Sequence, residues 1–145
     1  MNAQRHGPPL MRPRPATDLE QAFWDHCSQR KLCFQRCNDC QRWRHPPRHM
    51  CASCGSLEWG WLESSGRGRI FSWSLTHRAP HPSLAGSVPY ASVIVELEEG
   101  VRLVSVVRDL EPGALRLDLP VRVAFEALEA DVALPVFLVG SATNP

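Results

Sequence analysis

Cys37-Asn38-Asp39-Cys40 and Cys51-Ala52-Ser53-Cys54 form two CxxC knuckles with ten residues between them. Two thiols three residues apart on a tight turn can close on one metal ion. Two such turns face to face complete a tetrahedron of thiolates around zinc, with Zn–S distances of about 2.3 Å. Four sulfur ligands leave no open coordination position, so Cys37, Cys40, Cys51 and Cys54 are expected to hold a structural ion rather than a catalytic one. Such a site contributes on the order of 10 kcal/mol to folding, which a segment too short for its own core requires. Iron in a rubredoxin-like site is the competing ion. Dithiol redox chemistry fits less well, because it uses one CxxC beside a helix rather than two matched knuckles.

Other chemistry-bearing residues are read differently. Cys33 lies four residues before Cys37 and could replace a ligand, but the paired knuckles already supply four. Cys27 falls on an apolar helical stripe and reads as packing. His45 and His49 flank Pro46 and Pro47 and are expected to be solvent-exposed. Gly55 follows the second knuckle and Gln41 the first, so the two turns are expected to differ. His77, Arg78 and His81 border a long loop and read as loop residues rather than an anion site. The sequence has no GxSxG elbow, P-loop, GxGxxG or HExxH pattern, and so no catalytic residue is assigned.

The elements that must position the knuckles follow from periodicity. Thr17-Asp18-Leu19-Glu20 is a capping box, and Leu19, Phe23, Trp24 and Cys27 recur at helical spacing, which predicts a helix over about 18–30. Phe23 and Trp24 are expected to pack on the chain itself, a partner's surface being the alternative. From Leu57 onward the period is two: Trp59 and Trp61; Phe71, Trp73 and Leu75; Ala91, Val93, Val95 and Leu97; Val101, Leu103, Ser105 and Val107, with Arg102 and Arg108 on the opposite face; Val121, Val123 and Phe125; then the run Leu134–Val139. Five or six strands with no helix among them suit a small closed barrel, which removes free edges. A β-sandwich usually needs about seven strands. The Pro/Gly-rich stretch Ala79–Pro89 is too long for a hairpin and reads as an exposed loop.

The 145 residues fit one domain or a small module plus a compact domain, and 43% hydrophobic with 21% charged residues is ordinary for a globular protein. A net charge of +1 disfavours a generic nucleic-acid binder. The charge is uneven: residues 1–54 hold nine Arg/Lys and four Asp/Glu, and residues 55–145 seven and eleven. No apolar run reaches the length of a membrane span. Met1–Ala16 has four prolines, three arginines and no apolar core of a secretory signal, and reads as a disordered leader. Six cysteines without an export signal imply a reducing, cytoplasmic setting.

A Phe-Trp helix, CxxC, a proline-containing spacer, CxxCG and Trp-bearing strands follow one another in order. With Ser65–Ser72, Val88–Ala91, Val95–Arg102 and Leu134–Phe137, they resemble the zinc-ribbon/OB-fold acyl-CoA-associated family once catalogued as domain of unknown function 35. The similarity covers about residues 17–139. It implies a mainly β protein: a leader over 1–16, a helix over 17–31, a rubredoxin-like zinc ribbon over 32–56 and an OB-fold barrel over 57–140. It also implies a non-catalytic scaffold subunit of a thiolase-like aldolase or condensing enzyme, or of an enoyl-CoA hydratase, in steroid or lipid side-chain degradation. The implied cofactors are structural zinc and a coenzyme A thioester shared with the partner. If Arg67, Arg69, Arg78 and Arg102 cluster, they could meet its phosphates. The alternative is a nucleic-acid-binding ribbon and barrel with Trp59, Trp61, Phe71 and Trp73 as stacking platforms.

Overall fold

The computed structural model describes residues 7–140. Helix α1 spans Asp18–Ser28. The Glu20 N–H donates to Thr17 Oγ1 at 3.2 Å, and Glu20 Oε2 accepts from the Ala16 N–H at 2.6 Å. The capping box thus reaches one residue further back than its usual form. The helix ends where Arg30 turns left-handed (φ 60) and its N–H meets the Cys27 carbonyl. Residues 1–6 of the expected leader lie outside the described residues. Over 10–15 it has neither helix nor strand, yet it is tied to the fold. Arg12 pairs with Glu129, and a second nitrogen lies 3.7 Å from Asp131.

Strands β1 (Cys33–Cys37), β2 (Trp43–Arg44) and β3 (Trp59–Glu63) form an antiparallel sheet in the order β2-β1-β3. The strand carrying Trp59 and Trp61 therefore hydrogen-bonds to the cysteine-rich strand, Gln35 opposite Trp61 and Cys37 opposite Trp59. Period-two alternation locates a strand but does not say which sheet it joins.

Strands β4 (Arg67–Thr76), β5 (Tyr90–Leu97), β6 (Arg102–Ser105), β7 (Pro120–Glu129) and β8 (Val132–Val139) make a second sheet in the order β6-β5-β4-β7-β8. Val107 bridges Phe137 in parallel, which nearly closes the sheet into a five-stranded OB-like barrel. Ile70, Val93, Val95, Val121 and Phe137 fill it, each 2% exposed or less. A side chain of this kind contributes roughly 1.5–3 kcal/mol when buried. α1 lies along β8 beside the seam and sends Phe23 and Cys27 into the same core, whereas Trp24 stays half-buried. No helix among the described residues is long and apolar enough to cross a membrane.

A β-bulge corrects one expectation. Ile70 pairs with Val95 and Ser72 with Ile94, so Phe71 is the extra residue. The bulge exchanges the two faces of the strand. Ile70 and Trp73 face the core, and Phe71 turns out to meet the Arg102 guanidinium, 3.6 Å from the ring centroid. Gly68 marks a close approach of strands, because a Cβ there would lie 2.5 Å from the Glu96 carbonyl oxygen.

Candidate metal centre

The knuckles are built alike despite different sequences. The Gln41 N–H returns to the Cys37 carbonyl at 3.0 Å, and the Gly55 N–H to the Cys51 carbonyl at 2.9 Å. Both closing residues are left-handed, Gln41 at φ 66 and Gly55 at φ 74. The expected asymmetry is absent from the backbone. Glycine takes this conformation freely, whereas Gln41 is held in it by Nε2 donating to the Asn38 carbonyl at 2.7 Å. The Cys37 N–H bonds Arg42 O and the Cys51 N–H bonds Ser56 O, which completes the match.

This geometry brings the sulfurs of Cys37, Cys40, Cys51 and Cys54 within 4.8 Å of one another. Cys37 and Cys54 are 3.6 Å apart, and Cys40 and Cys51 3.5 Å. A zinc tetrathiolate with bonds of about 2.3 Å has an S···S edge of about 3.8 Å, so these two edges are close to those such an ion needs. Backbone N–H groups of Cys40 and Asp39 hold the Cys37 thiol below its ordinary range, and those of Cys54 and Ser53 hold Cys51 down to about 6. Cys54 has the Ser56 N–H to lower it. Burial and the sulfurs of Cys37, Cys51 and Cys40 outweigh that and push it up to about 12. Two thiolates at this spacing oppose further ionisation, and a divalent cation removes that opposition. The donor set fits a closed, soft-ligand ion. Cys33 and Cys27 stand outside the group, both buried, with Cys27 pushed up to about 12 by burial and then by Cys33.

Gln35, fully buried, supports the ribbon from beneath: its Oε1 accepts from Arg44 Nε at 2.7 Å and from the Arg48 N–H at 2.8 Å. His49 is exposed as expected, but His45 is not. Its ring packs 4.7 Å from Phe23 and 5.3 Å from Phe34, and its Nδ1 is buried without a hydrogen-bond partner among the described residues. Burial, and then Arg48, lower its pKa to about 4. Pro46 and Pro47 bring the loop back over α1, which a reading of residue types as loop formers does not disclose.

On the barrel, Arg69 and Arg102 converge on Glu96 at 2.8 and 3.1 Å, Arg69 also reaches Asp118 at 3.2 Å, and Arg67 pairs with Glu98 at 3.1 Å. These arginines cluster, but on carboxylates, which leaves little uncompensated charge for a phosphate. Arg78 and His77 are exposed on the loop, and His81 Nδ1 accepts from the Ser83 N–H at 3.1 Å as a local cap. The stacking-platform idea loses its geometry: Trp59 and Trp61 stand edge to face at 88°, and Phe71 lies under Arg102.

Arg108 was expected on a polar face. It is 5% exposed and donates from Nε and Nη2 to both oxygens of Glu126 at 3.0 and 3.2 Å. The signal was the break in alternation at Val106 and Val107, both buried, where β6 continues onto β8 and is covered on both sides.

The ChsH2 rubredoxin-like zinc ribbon model matches residues 24–60, and the model of the ChsH2 C-terminal OB-fold domain matches residues 61–126. A probable enoyl-CoA hydratase alpha subunit of Thermomonospora curvata is 38% identical over 90% of this chain and 40% of its own length. The 3-oxo-4,17-pregnadiene-20-carboxyl-CoA hydratase alpha subunit of Mycobacterium tuberculosis is 34% identical over 80% and 36%. The chain thus spans well under half the length of these relatives. A DUF35 domain-containing scaffold protein of Methanothermobacter thermautotrophicus is 34% identical over 74% of this chain and 82% of its own. Among solved structures, the Ltp2-ChsH2(DUF35) aldolase has a chain that superposes with a TM-score of 0.76 at 38% identity, over 87% of this chain and 98% of that one.

Proposed function

Because the chain belongs to the DUF35 family of zinc-ribbon/OB-fold proteins typified by ChsH2, we propose that it is a non-catalytic scaffold subunit of an acyl-CoA enzyme. The observation that carries this reading is the superposition of helix, ribbon and barrel on nearly the whole of a chain from an aldolase complex. The partner is a thiolase-like aldolase or condensing enzyme, or an enoyl-CoA hydratase, in a hetero-oligomer. The steroid acyl-CoA named for the mycobacterial relative supports steroid or lipid side-chain degradation as the setting. Coenzyme A thioester sits with the partner, since the barrel's arginine cluster is matched by carboxylates.

Cys37, Cys40, Cys51 and Cys54 hold one structural zinc ion. The spacing of their sulfurs and the closed donor set support it. Bound zinc fixes the two knuckles against each other and leaves no position for substrate. The ribbon, with β3 in its sheet, and the barrel of β4–β8 then act as one platform, because β3 leads directly into β4. A reducing, cytoplasmic setting suits four cysteines that serve as metal ligands rather than as disulfides.

Affinity purification from the native cells, with mass spectrometry of co-purifying chains, tests the reading. A thiolase-like or hydratase-like protein in near-equal amount is the expected result. Nucleic acid in its place, or no stoichiometric protein, would sink it.

A further inference from the structure

The sheet order leaves β6 at one end, and the hydrogen-bond phase shows which of its groups face outward. The Leu97 N–H donates to the Val101 carbonyl at 2.9 Å, so Leu97 and Val101 are a hydrogen-bonded pair. Such pairs alternate along an antiparallel ladder. Leu103 and Ser105, opposite Val95 and Val93, therefore bond to β5, whereas the N–H and C=O of Arg102 and Val104 point away from it. The same phase continues into the barrel seam. The Phe137 N–H donates to the Val106 carbonyl at 2.9 Å, and the Arg108 N–H to the Phe137 carbonyl at 2.8 Å. Val106 and Arg108 thus spend this edge on β8. Among the described residues no strand pairs with it at Arg102 and Val104.

That free edge opens on a groove of about 520 Å³ between β6, α1, the leader and the His45–Pro47 loop. Phe23, Trp24, Pro13, Pro15 and Pro46 make its apolar wall, and Val104, 70% exposed, stands at its rim. Arg14 also lines the groove, exposed and with no carboxylate against it among the described residues. Glu20, across from it, is occupied by the Ala16 N–H.

We propose that this groove is a strand-addition site for an extended segment of a partner polypeptide. The segment pairs with the backbone of Arg102 and Val104, sets an apolar side chain against Trp24 and Pro46, and brings a carboxylate to Arg14. Donors and acceptors repeating at strand spacing are complementary to extended backbone and to little else. An acyl chain would fill the apolar wall but leave these amides unpaired. The uncompensated charge of Arg14 selects an acidic residue at one end of the segment. This inference goes beyond the subunit reading and does not depend on it.

The full chain is to be screened against phage-displayed random heptapeptides, and the selected peptides measured by fluorescence anisotropy. The expected sequences alternate apolar with other residues and carry Asp or Glu at one end. Val104→Pro deletes the outward N–H but keeps the bonds of Leu103 and Ser105 to β5, as proline on an edge strand allows. It should weaken binding roughly threefold to tenfold, the effect of one backbone hydrogen bond. Trp24→Ala and Arg14→Glu should weaken it too, while Val104→Ala and the ribbon variant Arg36→Ala should not. Circular dichroism melts confirm that the variants fold. The proposal is overturned if no peptide is selected over a Val104→Pro/Trp24→Ala control. It is equally overturned if selected peptides ignore Val104→Pro, or if ultracentrifugation shows a dimer that Val104→Pro abolishes, which would give the edge to a second copy. The screen uses this chain alone, so its failure and the failure of the enzyme-partner purification are read separately.

Discussion

The Sγ of Cys37 lies 3.6 Å from the Sγ of Cys54, although they stand seventeen positions apart in the chain. The contact is made by two turns that share one backbone design, closed by Gln41 and Gly55. The knuckles present their sulfurs toward one point, and the N–H groups behind them already favour thiolate at Cys37 and Cys51.

One zinc ion per chain is therefore expected by elemental analysis. Cys51→Ser should abolish it, because it removes one of the four grouped sulfur ligands. A strong chelator should release the zinc together with loss of ribbon structure, read by near-ultraviolet circular dichroism from Trp43, Trp59 and Trp61, since metal binding and folding are coupled. Retention of ribbon dichroism after complete zinc removal would show that the site is not structural.

His45 makes stability pH-dependent. Its folded pKa, about 4, lies below the ordinary 6.5. The unfolded chain therefore binds the extra proton between those values, and stability rises with pH across them. The contribution is fully present above pH 6.5 and declines as the pH falls through 4, by roughly 3 kcal/mol in total. Urea titrations of His45→Phe against the parent chain check this. The difference between the two should change over pH 4–6.5 and stay constant above it.

The Arg108–Glu126 pair is bidentate and largely removed from water. Arg108→Met takes the bidentate partner from the largely covered Glu126 carboxylate and should cost about 3 kcal/mol in chemical denaturation. Arg108→Met with Glu126→Leu should recover much of that loss, because the desolvation of both charges disappears together. A double variant no more stable than Arg108→Met alone would show that other contacts of these residues dominate.

Gly68 and Gly60 should differ sharply in their tolerance of alanine. At Gly68 the new Cβ meets the Glu96 carbonyl oxygen at 2.5 Å and Val95 Cγ1 at 2.9 Å, whereas nothing lies within 4 Å of one at Gly60. Gly68→Ala must part β4 from β5 and should cost about 2 kcal/mol or more, with Gly60→Ala within about 0.5 kcal/mol of the parent. Thermal melts of the two variants suffice.

Charge reversal at Arg67 and Arg69 should leave the coenzyme A affinity of the proposed complex unchanged. Both guanidinium groups are engaged by Glu98, Glu96 and Asp118, so neither is free to bind a phosphate. Isothermal titration with coenzyme A provides the measurement, and a clear loss of affinity would restore the arginine cluster as a phosphate site.

The grouping of the four knuckle thiols was legible in the chain itself, because CxxC spacing acts over a few residues and needs no distant partner. The capping box at Thr17 and the alternation in β5 are equally local, and each appears where the residues put it. Tertiary structure decided whatever depends on contacts far apart in sequence. The same alternation that predicts a strand at Trp59–Trp61 serves either sheet, and only pairing with β1 assigns it to the ribbon. A single bulge turned Phe71 away from the face its spacing implied. His45 and Arg108 are polar residues in contexts that read as exposed, yet His45 is half-buried and Arg108 buried because remote elements close over them: α1 and β1 for one, β8 for the other. Residue type and period specify local geometry. Which face is covered is set by the whole chain's packing, where burial of apolar surface outweighs the desolvation of one imidazole or one well-paired guanidinium.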